Sequence, residues 1–94
     1  MSKAVVHLSE RLDLQNARPL AAAILDQAGQ DLELDASNVA HFGALGIQVV
    51  RSAAKSWARS GHSLVISGLS NDCVDQIQLL GFSPDNLCEW EGDV

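Results

Sequence analysis

The sequence predicts an α/β fold: a small, mostly parallel sheet of three to five strands with helices mainly on one face. Two observations carry that prediction. Apolar alternation and helical spacing take turns along the chain, in the order strand, helix, strand, helix, strand, helix. That order favours a parallel sheet with right-handed crossovers. The strands are also interrupted by polar residues: Glu33 sits between two leucines and His7 between Val6 and Leu8. Strands covered on both faces are near-continuous apolar runs, so one face of this sheet is expected to be only partly covered.

The elements follow in order. Ala4 to Leu8 reads as the first strand, with Ala4, Val6 and Leu8 on one face. Asp13 is placed to cap a helix that starts near Gln15 or Asn16. From Ala17 to Ala28 the apolar residues Ala17, Leu20, Ala21, Ile24, Leu25 and Ala28 recur at helical spacing, Pro19 fits the first turn, and Gly29 ends the helix. Leu32 to Asp35 is the second strand. A loop from Ala36 to Phe42 leads into a long helix from about Gly43 to Arg59, and Gly61 turns the chain out of it. Ser63 to Ser67 is the third strand. Ser70 or Asn71 caps a last helix that runs to about Leu80, where Gly81 stops it. Phe82 to Val94 is a tail, in which Leu87 to Trp90 is expected to add a short edge strand.

Length and composition bound the possibilities. Ninety-four residues are expected to form one domain, residues 1–94, with one modest core. The 47% hydrophobic content is that of a folded chain. No apolar run approaches the roughly 20 residues of a membrane span, and the start, Met1 to Ala4, has no signal-peptide core; a cytoplasmic location is the expectation. A formal net charge of −6 argues against nucleic acid and anionic membrane surfaces as partners. Cys73 and Cys88 have neither metal-site nor redox spacing and are expected as free thiols.

Little in the sequence points to catalysis. His7, His41 and His62 lack metal-site spacing, so no metal and no cofactor is expected. Asp35, Ser37 and His41 lie too close together on one loop for a nucleophilic triad; Asp35-Ala36-Ser37 is more simply a strand end with a side chain capping the turn. Gly43-Ala44-Leu45-Gly46 lacks the lysine of a phosphate loop. Nothing supports an enzyme.

The long helix carries more information. Leu45, Ile47, Val49, Val50, Ala53, Ala54, Trp57 and Ala58 form its apolar stripe. Gln48, Arg51, Lys55 and Arg59 share the opposite face. Three of the chain's six Lys and Arg residues therefore lie along one helix. Two readings stand: a solvated face that complements the helix's negative end, or a surface that attracts an acidic partner.

Three blocks have the order and spacing of a known family. They are L-S-E-R-L-D-L-Q-N-A-R-P-L (Leu8 to Leu20), L-D-A-S-N-V-A-H-F-G-A-L-G-I (Leu34 to Ile47), and L-V-I-S-G-L-S (Leu64 to Ser70), the last followed by a helix and Gly81-Phe82. They resemble the STAS domain, the fold of bacterial anti-sigma factor antagonists and of sulfate-transporter tails. The first is similar to the family's L-x-G-x-L-D, with Glu10 where glycine is usual. The second is similar to L-D-L-S-x-V-x-x-I-D-S-S-G-L. The usual extra N-terminal strand is not legible, which makes this a minimal version. In the family, a Ser or Thr in the loop ahead of the second helix is phosphorylated by a partner kinase. Here Gly43 replaces the family's Asp, and neither Ala44 nor Leu45 carries a hydroxyl, so the resemblance implies no phosphorylation at that position. Ser37 is the nearest loop hydroxyl but matches a different family position, and phosphate on Ser37 or Ser52 would mean that control has moved rather than vanished.

The resemblance implies a non-catalytic protein-interaction module. One form is an adaptor in bacterial signalling, whose partner is an anti-sigma kinase-like or chemotaxis protein. The alternative is a small regulatory subunit of an ABC-type transporter of the phospholipid-asymmetry kind. The expected partner-binding residues are Ser37, Asn38, His41, Gly43, Ala44, Leu45, Gln48, Arg51, Lys55 and Arg59, because open α/β sheets expose their sites at strand carboxyl ends.

Overall fold

The computed structural model describes residues 4–90. The readings made on Met1 to Lys3 and on the last four residues of the tail lie outside them. Within the described chain the elements are β1 (Ala4–His7), α1 (Leu14–Leu25), β2 (Leu32–Asp35), α2 (Ala44–Ser60), β3 (Leu64–Ser67) and α3 (Asn71–Leu79). The strands form one parallel sheet in the order β1-β2-β3.

The register explains which face is covered. Val6 lies opposite Leu34, and Leu34 opposite Ile66. Val6 and Leu34 are buried and Ile66 is half-buried. Their neighbours Val5 and Val65 are 46% and 40% exposed, and Glu33 between them is half-buried. The Ser67 hydroxyl donates to the Glu33 carboxylate at 2.6 Å, which satisfies a polar pair on the open face. The alternation expected from the sequence is thus the alternation of the sheet: helices on one side, a partly polar surface on the other.

The core lies beneath the helices. Leu32, Leu34, Phe42, Val50, Cys73, Ile77 and Leu87 are essentially inaccessible. Trp57 is 3% exposed, and its indole N–H donates to the Gln30 carbonyl at 2.8 Å. That bond ties the end of α2 to the entry of β2. Caps set the helix boundaries. The Asp13 carboxylate accepts from the Asn16 N–H at the start of α1, and the Ser70 hydroxyl accepts from the Cys73 N–H at the start of α3.

The structure corrects four expectations. α1 ends at Leu25 rather than Ala28, because Gln27 and Ala28 bond back to Ile24 and Leu25 in tight turns before Gly29. Leu25, about 100° around the helix from the buried Ile24, is 64% exposed. Leu79 and Leu80, read as apolar positions of the last helix, are 86% and 45% exposed, since Cys73 and Ile77 alone bring α3 to the core. Leu45 and Ala58, read as part of the α2 stripe, are exposed. Leu87 to Trp90 is not an edge strand; residues 84–88 form turns held by Asn86 and Leu87 N–H bonds to Ser83.

Candidate functional site

The segment between β2 and α2 is irregular yet firmly held. At its start, Asp35 accepts from the Ser37 N–H at 2.9 Å. Hydrogen bonding from Ser37, hydroxyl first and then backbone N–H, holds the Asp35 carboxyl below its ordinary value; the nearby His7 adds a smaller effect. The middle of the loop pairs with the segment after β1: Ala40 and His41 donate to the Glu10 carbonyl, and Leu12 donates to the His41 carbonyl. From the other side α3 supplies Gln76, whose side-chain oxygen accepts from the Phe42 N–H at 2.7 Å. The Cys73 thiol sits 3.4 Å from the Val39 carbonyl as a donor. Val39 and Phe42 are the buried anchors. Ser37, Asn38, Ala40 and His41 are left exposed.

Two glycines allow this packing. A Cβ on Gly46 would meet Leu12 side-chain atoms at 2.9 and 3.0 Å, so the first turn of α2 can lie against Leu12 only without a side chain there. Gly68, at φ +75°, would place a Cβ 2.9 Å from the Ser37 nitrogen. The β3–α3 turn thus presses directly on the start of the loop.

The helix that follows begins without a side-chain cap. Gly43 occupies the N-cap position and offers none, in contrast to Asp13 and Ser70 at the other two helices. The first-turn N–H groups of a helix have no partner within it. Here they emerge beside exposed Ala44 and a Leu45 that is 37% exposed.

A family model described as "Mlab, STAS domain" matches residues 1–87. The chain belongs to the STAS domain family. No curated protein matches it. As a STAS domain it is an anti-sigma factor antagonist-like module, in a family that typically mediates protein–protein interaction and is generally non-catalytic. Among the described residues, no helix is long and apolar enough to cross a membrane.

The ten expected binding residues divide into groups in space. Ser37, Asn38, His41, Gly43, Ala44 and Leu45 gather at the carboxyl end of the sheet, with Gln48 exposed one turn along α2. Arg59 is exposed at the far end of the same helix, about 20 Å away at 1.5 Å per residue.

Arg51 and Lys55 require a correction, because they do not form a solvated stripe. Arg51 is half-buried, and one guanidinium nitrogen donates to the carbonyls of Asn86, Leu87 and Glu89. Its charge lies 5.1 Å from the Phe82 ring centre and 5.0 Å from that of Trp90; Lys55 lies 5.6 Å from Trp90. These cations strap the C-terminal segment onto α2. Burial under that strap pushes the Cys88 thiol up to about 11, against a smaller opposing pull from Arg51. Helical spacing placed the basic residues on one face correctly but carried no information about a segment thirty-five residues later that covers part of it.

Proposed function

We propose that this STAS domain is a non-catalytic adaptor in bacterial signalling, resembling anti-sigma factor antagonists, whose partner docks on the Ser37-to-Leu45 loop and the first turns of α2. The observation that carries the reading is the uncapped start of α2 beside a pinned loop. Helix-start donors, the exposed side chains of Ala44 and Leu45, and the exposed Asn38 and His41 all belong to this one held segment. A held loop loses little entropy on binding, which favours affinity. The surface has no phosphorylation switch at Ala44 or Leu45. Ser37 is a poor replacement, since a phosphate there would sit against the Asp35 carboxylate that its own N–H already engages.

A second reading, the small STAS regulatory subunit of an ABC-type phospholipid-asymmetry transporter, is favoured by the matching family description, Mlab, STAS domain. Affinity capture from native cells separates the two: a transporter ATPase supports the second, a kinase-like or chemotaxis protein the first. In either case Leu45→Glu is expected to reduce recovery about tenfold, the scale of losing one well-packed contact residue. Undiminished recovery would remove the loop as the docking surface.

A further inference from the structure

Where the C-terminal segment crosses α2, an open polar cleft of about 350 Å³ is lined by Arg51, Phe82, Asn86 and Glu89. Small-molecule sites combine apolar wall with a few convergent polar groups, and this lining has that make-up. Phe82, half-buried, supplies the apolar part. The other three side chains bring a cation, an amide and a carboxylate to the same space.

Each of the three keeps hydrogen-bonding capacity that the fold does not use. Arg51 holds the strap through one guanidinium nitrogen, Nη1. Its Nε and Nη2 donors make no bond among the described residues. The Asn86 side-chain oxygen accepts from the Ser83 N–H, while the amide nitrogen of that side chain has no partner among the described residues. The Glu89 carboxylate has none there either. Arg51 donates to the backbone carbonyl of Glu89, yet the two side chains form no ion pair. Opposite charges thus line one cleft without pairing with each other.

That arrangement selects a ligand. An anion alone meets Glu89 with like charge, and a cation alone meets Arg51. A small molecule that carries both charges close together satisfies both. The neighbouring charges do not tip this balance: Lys55, one turn along α2 from Arg51, is offset by Asp85, next to Asn86.

We infer that this cleft binds a free α-amino acid with an apolar side chain. The Nε and Nη2 edge of Arg51 receives its carboxylate, a planar match of two N–H groups to two oxygens, with the Asn86 amide beside it. The Glu89 carboxylate receives its ammonium, which has three donors. The side chain lies toward Phe82. The site is separate from the Ser37-to-Leu45 loop and does not depend on the docking proposed there.

The test titrates the whole isotope-labelled chain with leucine, N-acetyl-leucine and leucinamide, which carry both charges, only the negative one and only the positive one. Leucine is expected to give saturable shifts of the Phe82, Asn86 and Glu89 amides and of the Arg51 side-chain N–H. Each derivative should bind at least about tenfold more weakly. Glu89→Gln removes the proposed ammonium partner and leaves the strap tethered, because Arg51 holds the Glu89 carbonyl and not its carboxylate. In that variant leucine should bind about tenfold more weakly, and N-acetyl-leucine no more weakly than to the parent chain. No saturation by about 20 mM leucine, equal binding of the three compounds, leucine affinity unchanged in Glu89→Gln, or shifts confined to other parts of the chain would each overturn the inference. A preference for N-acetyl-leucine or for leucinamide would make the cleft a simple anion or cation site, and would overturn it as well.

Discussion

Arg51 shows how much one side chain can organise. It lies on the helix face that sequence spacing would leave to solvent, yet it gathers three backbone carbonyls and lies within about 5 Å of the centres of two aromatic rings. Hydrogen bonds to a charged group contribute about 1.5–3 kcal/mol. Arg51→Ala is therefore expected to cost about 2 kcal/mol, roughly 10 °C in Tm for a domain of this size. It should also open the cover over Cys88. With its thiol at about 11, only about one part in a thousand is thiolate at pH 8, and alkylation of the native chain should be slow. In Arg51→Ala, one thiol should react much faster while Cys73, fully buried, stays protected. Unchanged alkylation and unchanged Tm would show that the strap does not depend on Arg51. An Arg51→Glu, Lys55→Glu double variant is accordingly a variant of stability first, and a poor probe of partner capture.

At the scale of elements, the loop between β2 and α2 depends on an element far along the chain. Gln76 of α3 satisfies the Phe42 N–H and reaches the Ala40 carbonyl at 3.4 Å. Gln76→Ala leaves that part-buried N–H without its partner, at a cost of about 1–3 kcal/mol. The variant should stay folded, with faster amide exchange at Phe42 and weaker partner binding; unaltered exchange at Phe42 would show that α3 does not hold the loop. The elements themselves were largely legible in the sequence, because each signal is local. Asp13 and Ser70 are caps, Leu32-Glu33-Leu34 alternates, and Gly61 sits at a left-handed helix end with φ +78°. What was not legible is non-local. Leu87 is buried in the core, but its surroundings look like a strand only when its packing against α2 is unknown. Leu25 and Leu79 lie roughly 100° or more around their helices from the buried Leu20 and Ile24, and from Cys73 and Ile77, and so end up exposed.

At the scale of the whole molecule, the parallel order β1-β2-β3 places the start of every helix at one end of the sheet. The same arrangement leaves the opposite sheet face, with Val5 and Val65, without a helical cover among the described residues. The STAS assignment and the sheet's one-sided layering were both readable from motif order and alternation. The cleft lined by Arg51 and Glu89 was not, since it needs a helix and a C-terminal segment that only the folded chain brings side by side. Under the proposed function the partner is received at the carboxyl end of the sheet. Amide hydrogen exchange on the chain, alone and bound to the protein recovered from native cells, tests it most directly. The N–H groups of the exposed Ala44 and Leu45 have no partner within the helix and should exchange fast when free, then slow on binding, together with Ser37 and Asn38. Protection confined to Val5, Val65 and their strand neighbours, or to α3 around Leu79, with the start of α2 still exchanging freely, would contradict it.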